Sequence, residues 1–186
     1  MRPLFTIHAG EFVVGDYIER TFRHVNLWVP SRDTGIDLLV TDSTNKKTVS
    51  LQVKFSRDWL TTHMDTVFQK PLRASGWWTL NRDKLANSEA DYWVLVLVGV
   101  ERRSTDFVII KPSVLLTRLN AIHKKAKNFQ TYISVTETNR CWETRGLKRQ
   151  DRLAIAAAAY GNKERDLTKY LNNWTPVKAL NRRGTL

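Results

Sequence analysis

Cysteine is almost missing from this chain. Cys141 is the only one, so no disulfide can form within the sequence. A lone thiol fits a reducing compartment, and a cytoplasmic location is the expectation. Long apolar runs are missing too. The longest, Tyr92–Val100, has nine residues with Gly99 included, less than half of the about 20 that a membrane-spanning helix needs. It reads as a buried strand, and no membrane partner is expected. Met1–Gly10 lacks the apolar stretch of a signal peptide. No glycine-rich phosphate loop is present, which argues against nucleotide-driven work. His8, His24, His63 and His123 show no metal-ligand spacing and are expected to be structural. There is no internal repeat and no low-complexity linker, so the 186 residues read as a single domain. Acidic residues are scarce. Eighteen Asp and Glu face 30 Lys and Arg, a net charge of +12 with a pI of about 10.1. That excess favours a polyanionic partner, nucleic acid first, with a solvated basic face as the plain alternative.

What is present alternates between helical and extended patterns, the mark of an α/β fold. Ala9–Arg23 has helical apolar spacing through Phe12, Val13, Val14, Tyr17, Ile18 and Phe22. Val25–Val29 is extended and stops at Pro30, and turn formers fill Ser31–Gly35. Ile36–Thr41 and Thr48–Phe55 read as strands, paired antiparallel across the polar loop Asp42–Lys47. Arg57–Asn87 shows no long periodic run and reads as loops and short helices. Tyr92–Val98 is expected to be a central strand, apolar on both faces, and Asp106–Lys111 a further one. Pro112 opens a helix to about Lys125, and Tyr132–Val135 is a last short strand. Helices are expected over Asp151–Tyr160, ended by Gly161, and over Glu164–Trp174, followed by Pro176.

The chemistry concentrates on the paired strands. In Val49-Ser50-Leu51-Gln52-Val53-Lys54-Phe55 the odd positions are apolar and the even ones polar. Side chains alternate across a strand, so Gln52 and Lys54 share one face, about 7 Å apart. Asp37 stands between Ile36 and Leu38 on the neighbouring strand. A carboxylate among apolar residues costs several kcal/mol unless a cation or a hydrogen-bond partner meets it. On the first helix Glu11, Val14, Gly15, Ile18 and Phe22 fall on one face. Glu11 is the polar member of that stripe, ahead of Glu19, which sits further round. Gly15 costs about 1 kcal/mol there relative to alanine. Close approach to the sheet would explain it and would carry Glu11 towards Asp37. The bland readings are a cross-strand ion pair for Asp37 with Lys54 and a helix-dipole contact for Glu11.

The segments Gly10-Glu11, Gly35-Ile36-Asp37-Leu38-Leu39-Val40 and Leu51-Gln52-Val53-Lys54 resemble the PD-(D/E)XK nuclease superfamily, with its restriction-endonuclease-like fold. The variant with Gln before Lys is similar to intron-encoded homing endonucleases. The resemblance covers roughly Gly10–Ser56 and extends more weakly through Tyr92–Pro112. It implies a mixed central sheet flanked by helices. The nuclease core is expected over about residues 9–127, and a helical extension, which the resemblance does not cover, over about 128–186. The resemblance implies a DNA endonuclease in which Asp37, Gln52, the Val53 carbonyl and Glu11 bind Mg²⁺ or Mn²⁺ and Lys54 assists catalysis. A homodimer is expected, because two sites related by symmetry cut both strands most simply. Gln52 stands where the commoner pattern has a carboxylate, so the metal site would rest on Asp37 and Glu11. Two other readings stay open: a non-catalytic nucleic-acid-binding module with the same fold, and a basic RNA-binding or assembly protein.

Arg140, Arg145, Lys148, Arg149 and Arg152 form the densest basic cluster and are the candidate phosphate contacts, against a solvated helix face. Trp59, Trp77 and Trp78 could stack on bases or serve the core. Cys141 has no recognisable nucleophile context.

Overall fold

The computed structural model describes residues 8–32, 34–56, 65–124 and 126–181. Helix α1 (Ala9–Thr21) starts where the Glu11 carboxylate accepts the His8 N–H at 3.1 Å. Val14, Gly15, Ile18 and, just past the helix, Phe22 are buried, so the stripe read from the sequence is the packed face. Val14 and Ile18 are wholly covered, worth about 1.5–3 kcal/mol each against exposure.

Strands β1 (Val25–Trp28), β2 (Leu38–Asp42), β3 (Thr48–Ser56), β5 (Tyr92–Gly99) and β6 (Ser104–Ile110) form a five-stranded mixed sheet in the order β1-β2-β3-β5-β6. Only the β3–β5 pairing in it is parallel. β2 and β3 pair antiparallel, Leu38 opposite Leu51. β5 lies inside the sheet, and Val94, Leu95, Val96 and Leu97 are fully buried, which explains its unbroken apolar run. One face carries Leu51, Val53, Val94 and Val96 against α1 and α6 (Thr175–Leu180). The other carries Trp93, Leu95 and Leu97 against a second layer.

That second layer departs from the sequence reading. Residues 57–87 hold not only the short helices α2 (Thr66–Gln69) and α3 (Arg82–Ala86) but the ten-residue strand β4 (Leu72–Asn81). β4 pairs along its length with β7 (Asn128–Thr136), and β7 pairs with β8 (Cys141–Glu143). The region after residue 127 is therefore not a helical extension. Its first two elements complete a three-stranded antiparallel sheet. β4 escapes a pattern search because Ala74, Ser75 and Gly76 interrupt its apolar alternation. The Trp78 indole lies over Gly76, 2.3 Å from where a Cβ would stand.

Helix α4 (Pro112–His123) matches its expected span and packs Leu115 and Leu119 on the second layer. Helix α5 (Arg149–Ala156) starts earlier than expected, because the Asp151 carboxylate reaches back to the Lys148 N–H at 3.1 Å. It stops at Ala156, well before Gly161, and Ala158 just beyond, with a φ of 55°, cannot continue it. Glu164–Trp174 is not a helix, apart from a 3-10 turn at Thr168–Tyr170. Its backbone bonds elsewhere: Arg165 accepts the Glu143 N–H, and Leu167 donates to Cys141, both at 2.9 Å. Arg118 binds the carbonyls of Lys163, Glu164 and Asp166. Pro176 opens α6 rather than following a helix. Among the described residues no helix is long and apolar enough to cross a membrane.

Candidate functional site

A cleft of about 800 Å³ opens at the end of β3. Its geometry follows from a mismatch in strand length. β2 begins at Leu38, opposite Leu51, so β3 runs on past the start of its neighbour. The peptide groups of Val53 then need a partner other than a strand. Asp37, one residue before β2, supplies it: its Oδ2 accepts the Val53 N–H at 2.6 Å, while its own N–H donates to the Leu51 carbonyl at 2.9 Å. Gly35 makes the approach, with a φ of 86° that other residues adopt only with strain.

Gln52 and Lys54 project to the face away from α1. In the parallel register Gln52 lies beside Trp93 and Lys54 beside Leu95. The Lys54 ammonium stands 5.5 Å from the centroid of the Trp93 ring. Trp93 is buried and donates its indole N–H to the Ser88 hydroxyl at 2.8 Å. Asp37 and Lys54 thus take different partners, and among the described residues no ion pair joins them.

Glu11 reaches the same cleft from α1. The glycine that permits this is Gly10. A Cβ there would lie 2.7 Å from the Phe55 Cβ, so the helix start presses directly on β3. Gly15 makes a looser approach, to Leu27 on β1 at 3.0 Å, and is not the residue that carries Glu11 to the cleft. The four polar residues read from the sequence, together with Val53, therefore line one cavity. Glu19 lies outside it.

The far wall was not foreseen. Asp83, Lys84, Asn87, Ser88 and Glu89 form it, from α3 and the loop behind. A signal existed: the Asn81 side chain caps α3 by accepting the Lys84 N–H at 2.9 Å, and Asp83 occupies the first turn.

Comparison with protein-family models, curated proteins and solved structures finds no match.

The basic cluster lies elsewhere, around β8 and α5, and none of its five members lines the cleft. Arg140 pairs with Asp166 at 3.4 Å and stacks on Trp142. Arg145 donates to Gln130 and stands 5.5 Å from the Tyr132 ring centroid. Lys148 starts α5, and Arg149 pairs with Asp65 at 3.0 Å. The Val67 N–H and Arg149 hold the Asp65 carboxyl below its ordinary range. Arg152 donates to the Leu147 carbonyl at 2.8 Å. Of the tryptophans, Trp78 is core and Trp77 is 48% exposed, while Trp59, like His63, lies outside the described residues. His8 lines the cleft, the His24 N–H binds Asn181, and His123 binds Glu143. Burial pushes the Cys141 thiol far up, so it holds its proton and is a poor nucleophile.

Oxygen is the only donor type that Asp37, Glu11, Gln52 and the Val53 carbonyl offer. Such a set suits a hard divalent cation that keeps much of its water, Mg²⁺ or Mn²⁺. The residues present therefore fit the metal that the resemblance implies.

Proposed function

We propose that this chain is a metal-dependent DNA endonuclease of the PD-(D/E)XK type, hydrolysing phosphodiester bonds in the β3 cleft. The observation that carries the reading is the convergence on one cavity of Gln52 and Lys54 from β3, Asp37 from the residue before β2, and Glu11 from α1. In this reading Asp37 is the principal ligand, with Gln52, the Val53 carbonyl and Glu11 completing the protein's share of the metal shell. A bound Mg²⁺ or Mn²⁺ supplies Lewis-acid stabilisation of the phosphoryl oxygens and an acidified water. Lys54 places a positive charge where negative charge develops on the phosphate, and the Trp93 face keeps that ammonium in the cleft. The Asp37–Val53 hydrogen bond orients the carboxylate before any ligand arrives, the kind of support a ligand residue needs. The chain's net charge of +12 favours a polyanionic partner, and a homodimer would cut both strands.

Supercoiled plasmid incubated with and without Mg²⁺ tests the proposal. Nicking or linearisation that needs the cation and disappears in Asp37→Ala is expected. Intact plasmid under all conditions, with genomic DNA equally untouched, overturns it.

One observation favours a second reading, a binding module that has lost cleavage. Gln52 is a neutral amide where the commoner pattern has a carboxylate, which leaves two carboxylates, Asp37 and Glu11, to hold a metal. That reading expects DNA binding indifferent to Mg²⁺ and no cleavage.

A further inference from the structure

The second sheet has an outer face that the cleft does not use. Its residues alternate: Trp78 turns inward to the core at 6% exposure, and Trp77 turns outward at 48%. In the β4–β7 register Trp77 stands opposite Tyr132, and Thr79 opposite Gln130. Thr79 and Gln130 are both exposed. Arg145 crosses from beyond β8, donates to Gln130, and places its guanidinium 5.5 Å from the centre of the Tyr132 ring. A tryptophan and an arginine far apart in the sequence thereby flank one tyrosine on one face.

A single exposed apolar side chain needs no explanation. An indole in register beside a tyrosine, with a guanidinium held against that tyrosine, is a different object. It combines flat π surfaces with a fixed positive charge, the chemistry that meets a base and its phosphate. An apolar peptide would leave the guanidinium without a counter-charge. Duplex DNA offers that charge but keeps its base faces stacked. The face is also tied to the cleft, because the Trp77 N–H donates to the Ser56 hydroxyl at 2.9 Å, two residues beyond Lys54 on β3.

We propose that this face, built on Trp77, Tyr132 and Arg145, binds single-stranded DNA, with a base stacked on the Trp77 indole and a phosphate met by Arg145. Binding here is separate from cleavage and needs no divalent cation.

Fluorescence anisotropy in EDTA tests it, with a labelled oligothymidylate and a labelled duplex of equal length. Wild type is expected to bind the oligothymidylate, with affinity falling steeply as salt rises. Trp77→Ala should weaken that binding roughly tenfold, the cost of losing one stacking surface. Trp77→Phe should restore most of it, because a ring remains, and Arg145→Ala should flatten the salt dependence. Duplex binding should change less than about twofold in Trp77→Ala, since paired bases do not stack on the face. Trp77 is half exposed, so thermal melts should show all three variants folded. Oligothymidylate binding unchanged in Trp77→Ala, Trp77→Phe no better than Trp77→Ala, or no binding by wild type would each overturn the proposal.

Discussion

Buried charge in the second layer and polar groups in the cleft are held in different ways. Glu143 is 1% exposed and ringed by donors: Thr131 at 3.2 Å, His123 at 3.1 Å, the Arg145 N–H at 3.3 Å and the Arg165 guanidinium. Asp106 is similar, gripped by Arg73 at 2.7 and 2.9 Å and by Asn172 at 2.9 Å. Asp37, Gln52 and Lys54 are only half-buried, and their side chains border an open cavity. A charge sealed among donors serves the fold, because removing it strands its partners. Lys54, on the wall of the cleft and held among the described residues only against the Trp93 ring, can be removed at little cost in stability, whereas Asp37 also holds the Val53 N–H.

The largest expected effect sharpens this contrast. Glu143→Ala removes the buried carboxylate that the largely covered Arg165, His123 and Thr131 bind, leaving Arg165 only the Glu143 and Arg145 carbonyls. It should cost about 3–5 kcal/mol, read by urea denaturation. A loss under about 1 kcal/mol would break the comparison from the structural side. Lys54→Ala should do the opposite, lowering plasmid cleavage by about 100-fold while stability moves by less than about 1 kcal/mol. Gly10→Ala joins the two regions. Its new Cβ meets Phe55, so overpacking should cost about 1–3 kcal/mol and move Glu11 off the cleft. A small melting shift with lost activity would place that effect in the cleft alone.

The smallest effect concerns the exposed β2–β3 turn. The Lys47 N–H above all, opposed by desolvation and helped by the Thr44 hydroxyl and the Lys46 N–H, holds the Asp42 carboxyl below its ordinary range. A carboxyl depressed in the folded state contributes stability above its unfolded pKa and loses it as the pH falls through the folded value. The difference between wild type and Asp42→Asn should thus be present at neutral pH and shrink as the pH falls below the ordinary carboxylate range. A difference constant across that range would contradict the assignment.

Much of the near wall of the cleft was legible because it depends on local periodicity. Val49, Leu51 and Val53 alternate with Gln52 and Lys54, and α1 has its apolar stripe. Those patterns are written within about ten residues. The second layer is held by pairings that no local window contains, such as Trp77 with Tyr132 and Asn81 with Asn128. β4 lacks alternation where Gly76 makes room for the Trp78 indole. Glu164–Trp174 carries helix-like spacing, yet β8 and Arg118 capture its peptide groups. The far wall stayed hidden for the same reason: Ser88 reaches the cleft through Trp93, on a strand that pairs with β3 across a long connection. Gly10 shows the limit within a local pattern, since the sequence favoured Gly15 and only the packing distances separate the two.

Mn²⁺ binding, followed by electron paramagnetic resonance on the intact chain, addresses the cleft most directly. Wild type should take up the ion, and Asp37→Asn, which keeps the side chain's size and an oxygen for the Val53 N–H, should bind at least about tenfold more weakly. Equal uptake by the two proteins, or none by wild type, would contradict the account.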